Sequence, residues 1–283
     1  AKARHRYKQA DTPQCLLCGQ EDGGHHTAAG CQALTKMYLS RHHEAGKAIV
    51  RAIADGRHGA HLVMMDVGKQ EEEEGADDRR DYTPPENGGE REGTVDLQQL
   101  PRRIPMHALP HDMPLEAKQA AVKRSVPDAF LMCPEKRAGD GDTYIIAEIK
   151  YCRDTDPAQQ LQRAREQHAE LAHSVSRYSK ARDRVCQVPI LLGVSGTIFK
   201  RQTVNTLKRL GVDGDLLTKL KYRLHRLAVK HLHRIHTAKR KQEKHLEGTA
   251  TGGCQTSSTS KRPVQKTGWD NTDSRRPDKR RKS

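Results

Sequence analysis

The spacing of apolar residues along the chain predicts an α/β fold. Over residues 34–55, small and branched apolar residues recur every three or four positions, which is typical of the buried face of a helix. A short apolar stretch at residues 61–67 predicts a strand. Three further apolar runs, each bounded by turn residues, predict buried strands at residues 125–132, Thr143–Cys152 and 186–196.

Amphipathic stretches after these strands predict helices. Residues 154–181 predict a helix that Asp156 caps and Pro157 begins. One stripe at helical spacing runs along it, through Leu161, Ala164, His168, Leu171 and Val175. Further helical patterns follow at residues 203–211 and 213–247. The order helix, strand, strand, strand, helix, strand, helix predicts a sheet flanked by helices.

Breaks in the pattern divide the chain into zones. An acidic stretch rich in Gly near residues 68–93 predicts a disordered insert, and the end of the chain, rich in Ser, Thr, Lys and Arg, predicts a disordered tail. We therefore expect a basic lead-in with a cysteine cluster at residues 1–33 and an α/β domain at 34–212. A basic amphipathic helix at 213–247 and a tail at 248–283 follow.

The cysteine cluster near the start has the spacing of a zinc knuckle. Its three cysteines and a histidine follow C-x2-C-x7-H-x4-C through His26, or C-x2-C-x6-H-x5-C through His25. Zinc takes four N or S ligands in a tetrahedron, and a C-x2-C pair supplies two of them from one turn. The alternative is that these are ordinary small buried residues. The spacing favours zinc, with either histidine as the nitrogen ligand.

The charge of the chain indicates a negatively charged partner. Of its 283 residues 31% are charged, and the formal net charge is +15. Residues 213–247 contain ten lysines and arginines against four acidic residues. A basic C-terminal third is typical of proteins that bind a polyanion such as nucleic acid.

Membrane and secreted classes are excluded by what the sequence lacks. There is no apolar run of membrane-spanning length and no signal peptide, so no membrane partner is expected. Seven cysteines, three of them in a knuckle, argue against a disulfide scaffold and favour a reducing compartment, the cytosol or the nucleus. The basic clusters "KRP" and "DKRRKS" in the tail are either nuclear import signals or a generic polycationic end.

The predicted helix at residues 213–247 has one apolar stripe and basic residues elsewhere. Such a helix can pack on the domain while its basic face neutralises phosphates; the alternative is a solvated helix. The candidate nucleic-acid contacts on it are Lys219, Lys221, Arg223, Arg226, Lys230 and Arg234.

A candidate catalytic centre lies on two neighbouring predicted strands. Because side chains alternate along a strand, Glu148 and Lys150 point to the same face, and Asp128 precedes the adjacent strand. Two convergent carboxylates suit Mg²⁺ or Mn²⁺, and a nearby lysine can hold an attacking water or offset charge on a phosphate. The alternative is that Asp128 opens a turn while Glu148 and Lys150 form an exposed ion pair.

The helix after the cysteine cluster offers further candidates. Arg41, Glu44 and Lys47 share one helical face, which can bring Glu44 or His42 towards the metal site as an extra carboxylate or phosphate contact. The alternative is a solvated polar face opposite the apolar stripe.

The order of these motifs resembles a known family. The cysteine cluster, "RHHEAGKAIVRAI", "VPDAFLM", "YIIAEIKY" and "VPILLGVSGT" are similar in order and spacing to the C-terminal region of site-specific non-LTR retrotransposons that encode a restriction-like endonuclease. The likeness covers about residues 1–212. It implies a mixed sheet of the PD-(D/E)xK type, part of one polyprotein with a reverse transcriptase.

The resemblance also implies an activity and its partners. Members nick double-stranded target DNA in the nucleus, and the released 3′ hydroxyl primes reverse transcription of the element RNA. The resemblance implies a nuclease centre at Asp128, Glu148 and Lys150. Two departures are evident: the nineteen residues between Asp128 and Glu148 are more than in many members, and no downstream Lys or Tyr matches, which leaves the role of Arg163 or Arg165 open.

The same resemblance extends to the N-terminal motifs. It implies that Arg41 and His42 match a basic pair after the knuckle. It implies structural zinc bound by Cys15, Cys18, His26 and Cys31. The alternative function is a non-catalytic DNA-binding or RNA-binding module in which the P-D…E-x-K set is a relic.

Overall fold

A computed structural model describes residues 13–67, 95–134 and 141–251, with side chains described as far as residue 247. The predicted insert near residues 68–93, most of the basic lead-in and residues 252–283 of the predicted tail lie outside the described residues. Within these residues, none of the helices combines the length and the apolar content needed to span a bilayer.

The described chain contains both helices and strands, mixed along the sequence. In order they are α1 (Thr35–Ala54), β1 (Leu62–Met65), α2 (Leu115–Arg124), β2 (Ala129–Cys133), β3 (Thr143–Cys152), α3 (Ala158–Gln167), α4 (Ala169–Tyr178), β4 (Arg184–Gly193), α5 (Thr206–Arg209) and α6 (Gly214–Thr251). The predicted α/β class is confirmed, and β3 has the bounds that its apolar run predicted.

The four strands of the described residues form one mixed sheet in the order β1-β2-β3-β4. The pairs β1–β2 and β2–β3 are antiparallel, and β3–β4 is parallel. Parallel neighbours need a crossover connection, which α3 and α4 supply between β3 and β4.

Both faces of the sheet are covered, so the central strand β3 is buried on each side. Ile145, Ala147 and Ile149 pack in a core that contains residues of α1, α5 and α6. Tyr144 and Ile146, which alternate with them, pack in a second core with residues of α2 and α4. The molecule is therefore a three-layer arrangement of helices, sheet and helices.

Helix α6 contributes to more than one core. Leu217, Leu220 and Leu224 join the core on one face of the sheet. Further along, Ile235 packs with Leu34 and the cysteines of the N-terminal cluster. The apolar stripe that the sequence predicted therefore attaches this helix to the domain from Leu217 to Ile235.

Two helical details differ from the sequence prediction. Helix α2 was not predicted, because it follows a proline-rich connector that reads as irregular. The single helix expected at residues 154–181 is two helices, α3 and α4, separated at His168, where φ is −115° and ψ is 19°. The His168 side chain is buried and contacts Glu148 of β3 rather than lying in a continuous helical stripe.

Candidate metal centres and nucleic-acid interface

The cysteine cluster brings four metal-binding side chains together. The donor atoms of Cys15, Cys18, His26 and Cys31 all lie within 4.8 Å of one another. The Sγ atom of Cys31 is 3.9 Å from that of Cys15 and 3.7 Å from that of Cys18, and Cys18 Sγ is 3.3 Å from His26 Nε2. A tetrahedral zinc with Zn–S bonds near 2.3 Å needs sulfur atoms about 3.8 Å apart. The four donors are close enough to bind a metal ion, and their spacing fits zinc.

Local backbone structure explains how these donors meet. The chain turns after Cys15, whose carbonyl accepts a hydrogen bond from Gly19 N–H at 2.8 Å. Gly19 has a φ of 73°, a left-handed conformation that glycine adopts readily and that keeps the C-x2-C turn tight. A short π-helical turn, His26–Gly30, then returns the chain to Cys31.

The structure also separates the two histidines that the spacing left open. The ring of His26 lies with the cysteines, whereas His25 is exposed and lies outside the cluster. A groove of about 720 Å³ is lined by both histidines together with Arg153 and His236. Partial desolvation of the exposed His25 ring and the charge of Arg153 lower its pKa. His26 is therefore the nitrogen donor of the cluster.

The strand register brings the two candidate carboxylates together. Ala129 of β2 pairs with Ala147 of β3, so the next position of the ladder places Asp128 opposite Glu148. Both residues are buried, at 8% and 4% exposed. Burial raises the pKa of Asp128, and the negative charge of Glu148 adds to this rise against the opposing effect of His42. The nineteen-residue interval is thus compatible with direct cross-strand pairing.

Asp128 is held by two groups of the protein. His42 Nε2 of helix α1 lies 3.0 Å from Asp128 Oδ1, and the backbone N–H of Ile149 donates to Oδ2 at 2.6 Å. Burial disfavours a charged His42 ring, but the hydrogen bond and charge of Asp128 outweigh this effect and raise the pKa of His42. His42 therefore reaches the candidate centre by contacting the carboxylate.

Glu148 is also held on both oxygens. Lys150 Nζ lies 2.5 Å from Oε1, and His168 Nε2 lies 2.8 Å from Oε2. Burial would raise the pKa of Glu148, but the hydrogen bond from His168 and the charge of Lys150 outweigh it and lower that pKa. Glu148 and Lys150 share a face of β3, as strand alternation predicted. The Lys150 side chain is 29% exposed and so lies at the open side of the centre.

The structure does not bring Glu44 to this centre. Its carboxylate faces helix α6, where it lies 3.1 Å from His231 Nε2, 3.5 Å from Lys230 Nζ and 3.7 Å from Arg234 Nη1. Positions 42 and 44 are about 200° apart around a helix, so the two side chains leave α1 in opposite directions. Glu44 therefore forms ion pairs with helix α6. It is neither the metal contact nor the solvated residue that the two alternatives from the sequence described.

Arg41 does not lie where a phosphate can reach it. It is 2% exposed, its Nη1 donates to the carbonyl of Ala28 at 2.9 Å, and its guanidinium lies 4.1 Å from the ring centroid of Tyr151. Burial lowers the pKa of Arg41. The prediction of a nucleic-acid contact is not supported, because this side chain joins the cysteine cluster to strand β3.

The candidate nucleic-acid contacts on α6 lie mostly on its solvent side. All are exposed except Lys221, which is half-buried, and the six are Lys219, Lys221, Arg223, Arg226, Lys230 and Arg234. Tyr222 is 66% exposed, and the guanidinium of Arg226 lies 5.6 Å from its ring centroid. This face can offer cations to a phosphate backbone.

A buried ion pair that sequence reasoning missed fixes the cysteine cluster to α6. Lys239 Nζ lies 2.5 Å from Asp22 Oδ1 and donates to Thr27 Oγ1 at 2.9 Å, while Thr27 donates to Asp22 at 3.1 Å. The helical spacing from Ile235 to Lys239 and Glu243 was the available signal, because buried positions continue at that interval. Because Lys and Glu are usually exposed, this spacing does not suggest burial from the sequence alone.

Comparison with protein-family models, with curated proteins and with solved structures finds no match to this chain. Function is therefore inferred from the side chains of the two candidate centres and from the charge of α6.

We predict that the 283-residue chain binds one zinc ion through the four donors. His26→Ala removes a ligand and should lower the zinc content measured by elemental analysis from about one per chain to well below half. His25→Ala, the matched control next to it, should retain its zinc. Equal loss from both variants, or no stoichiometric zinc in the unmodified chain, would contradict the assignment.

Arg41→Ala tests the structural role of the buried guanidinium. Removing its hydrogen bond and its packing on Tyr151 should lower the free energy of unfolding by about 3 kcal/mol. The salt dependence of DNA binding should stay unchanged, because Arg41 neutralises no phosphate. Lys47→Ala, an exposed change on the same helix, should alter stability by less than about 0.5 kcal/mol in the same denaturant titration. A smaller salt slope at unchanged stability would restore Arg41 as a phosphate contact.

Proposed function

We propose that this chain is the metal-dependent endonuclease region of a site-specific non-LTR retrotransposon, with a zinc knuckle and a restriction-like nuclease fold. It nicks double-stranded target DNA in the nucleus, and the new 3′ hydroxyl primes reverse transcription of the element RNA by a polymerase of the same polyprotein. The observation that supports this best is the placement of Asp128 opposite Glu148, with Lys150 beside them on the same face.

The residues present fit a hard divalent cation. Two carboxylates at adjacent positions of a ladder offer the oxygen donors that Mg²⁺ and Mn²⁺ prefer. Burial, with a smaller effect of the Glu148 charge, raises the pKa of Asp128, and a bound cation would favour its ionised form. When bound there, such an ion supplies Lewis-acid stabilisation of the scissile phosphate and an activated water.

The protein's own groups have distinct tasks in this proposal. Asp128 and Glu148 would hold the cation, and the Ile149 N–H and His42 fix the orientation of the Asp128 carboxylate. Lys150, at the open side of the centre, offers its ammonium group to the negative charge that develops on the phosphate. Because these groups belong to a sheet and a packed helix, the arrangement exists before substrate binds.

Helix α6 and the knuckle supply the binding surface. The exposed lysines and arginines of α6 contact the DNA backbone, and the element RNA is a second polyanion of the same chemistry. The zinc knuckle has a structural task, because so short a segment cannot bury enough apolar surface to order itself without metal.

A non-catalytic nucleic-acid-binding module is the second candidate. The observation in its favour is that Glu148 already has Lys150 and His168 as partners, so its charge is compensated without a cation. A decayed nuclease would keep this network for stability while losing activity. Both candidates share the positive surface of α6, and only an activity measurement separates them.

Plasmid nicking with Mg²⁺ tests the proposal. Asp128→Asn, Glu148→Gln and Lys150→Ala should each lower the rate by at least about a hundredfold, because each removes a main electrostatic group. EDTA should abolish nicking, and Glu170→Gln, an exposed carboxylate on α4, should leave the rate unchanged. DNA affinity should rise slightly for the two carboxylate variants and fall slightly for Lys150→Ala. Nicking by Asp128→Asn at the unmodified rate would rule the nuclease out.

The salt dependence of DNA binding tests the surface of α6. Removing the whole helix would open the core that Leu217 and Leu224 fill, so point changes are needed. Replacing Lys219, Arg223 and Arg226 by Gln should reduce the slope of log K against log salt by about 0.9 for each phosphate that the variant no longer neutralises. The matched control replaces three exposed basic residues of the opposite layer, Lys123, Arg124 and Arg177. An equal reduction in the control would place the interface elsewhere.

A further inference from the structure

A chain of three buried polar side chains leads into the candidate centre from the side away from solvent. Ser125 Oγ lies 2.6 Å from His168 Nδ1, and His168 Nε2 lies 2.8 Å from Glu148 Oε2. The three residues are exposed by 9%, 2% and 4%. Burying this many polar groups is costly unless each is hydrogen-bonded, and here each of the three side chains is hydrogen-bonded to the next.

The direction of these hydrogen bonds follows from the chemistry of the groups. An ionised carboxylate only accepts, so His168 Nε2 donates to Glu148. The other ring nitrogen, Nδ1, is hydrogen-bonded to the Ser125 hydroxyl. Ser125 therefore fixes the ring orientation that presents Nε2–H to Glu148.

The backbone around His168 is shaped to place this ring. The residue interrupts the helical stretch between α3 and α4, and the side-chain amide of Gln187 in β4 donates to its carbonyl at 3.4 Å. Because Oε2 of Glu148 is taken from the buried side, the oxygen beside the half-buried Lys150 is Oε1. Lys150 Nζ, 2.5 Å away, uses one lone pair of Oε1, and the second lone pair is available to a cation.

A nucleophilic triad is a poor description of the same residues. Ser125 is buried, at 9% exposed, between helix α2 and strand β2, where a substrate carbonyl cannot approach its hydroxyl. Ser125 is the end of the hydrogen-bonded series that lies farthest from the candidate centre, and Glu148 is the end that belongs to it.

We propose that His168 is a positioning residue for Glu148: it holds Oε2 and so keeps Oε1 at the open side beside Lys150, where this oxygen would bind a divalent cation, and Ser125 in turn holds His168. This proposal rests on the proposed nuclease function. Partners that hydrogen-bond a metal-binding carboxylate typically affect metal affinity or activity by ten- to a hundredfold. The role is indirect, because His168 touches neither cation nor phosphate.

Two substitutions of His168 separate positioning from packing. Gln places an N–H donor near the position of Nε2, so His168→Gln keeps the bond to Glu148. Asn reaches only as far as Nδ1, so His168→Asn keeps a partner for Ser125 and loses the bond to Glu148. Both variants lose ring volume, and a purely structural residue would respond similarly to each.

The readouts are Mn²⁺ affinity of the zinc-loaded full chain by calorimetry and the Mg²⁺ concentration for half-maximal nicking. His168→Asn should weaken Mn²⁺ binding and raise the Mg²⁺ requirement by about tenfold or more, whereas His168→Gln should stay within about threefold of the unmodified chain. Ser125→Ala should lie between them. Thermal midpoints of all three report the loss of packing separately.

The outcomes distinguish the two proposals. Unchanged Mn²⁺ affinity in His168→Asn, or equal loss in the Gln and Asn variants, would overturn the positioning role while leaving the nuclease intact. A chain that binds Mn²⁺ with the predicted order of variants but does not nick DNA would overturn the nuclease and keep the positioning role. An unmodified chain that does neither would overturn both.

Discussion

The packing of helix α6 against the rest of the chain holds the molecule together, because this one helix completes two separate cores. Leu224 fills the core on one face of the sheet, and Ile235 packs against the cysteines of the N-terminal cluster. Lys239 adds a buried ion pair to Asp22. The spatial relation between the cysteine cluster and the sheet is thus fixed through α6 as well as through Arg41. The basic surface of α6 is therefore rigidly placed relative to the paired carboxylates.

Charge balance governs the candidate centre in the same way that apolar packing governs the cores. Two buried carboxylates on adjacent strands repel each other, and removing them from water is costly. His42, Lys150 and His168 each bring a hydrogen-bond donor to this charge from a different element. The protein can therefore fold around the centre without a cation. The cost is that these donors and carboxylates depend on one another, so that removing any one of them leaves a buried charge poorly paired.

Local sequence patterns predicted the helices and strands well. They could not predict which residues far apart in the sequence contact one another. Alternation along β3 placed Glu148 and Lys150 on one face, and the bounds Thr143–Cys152 followed from the apolar run itself. Glu44 was misplaced, because helical periodicity tells which residues share a face but not that α6 lies opposite them. The same limit hid the burial of Arg41, whose partner Tyr151 lies on β3. His168 fitted an apolar stripe by spacing, yet its ring is used for hydrogen bonding, and no local signal distinguishes the two.

The ion pair between Asp22 and Lys239 joins residues 217 positions apart. At synthesis rates of about 5–20 residues per second, Lys239 leaves the ribosome roughly 10–40 s after Asp22. During that interval the cysteine cluster has neither its ion-pair partner nor the apolar packing of Ile235. Its four metal donors come from seventeen consecutive residues, so they are complete long before the rest of its surroundings. Metal capture can thus order the nascent segment first, and the C-terminal helix closes over a unit that its ligands have already shaped.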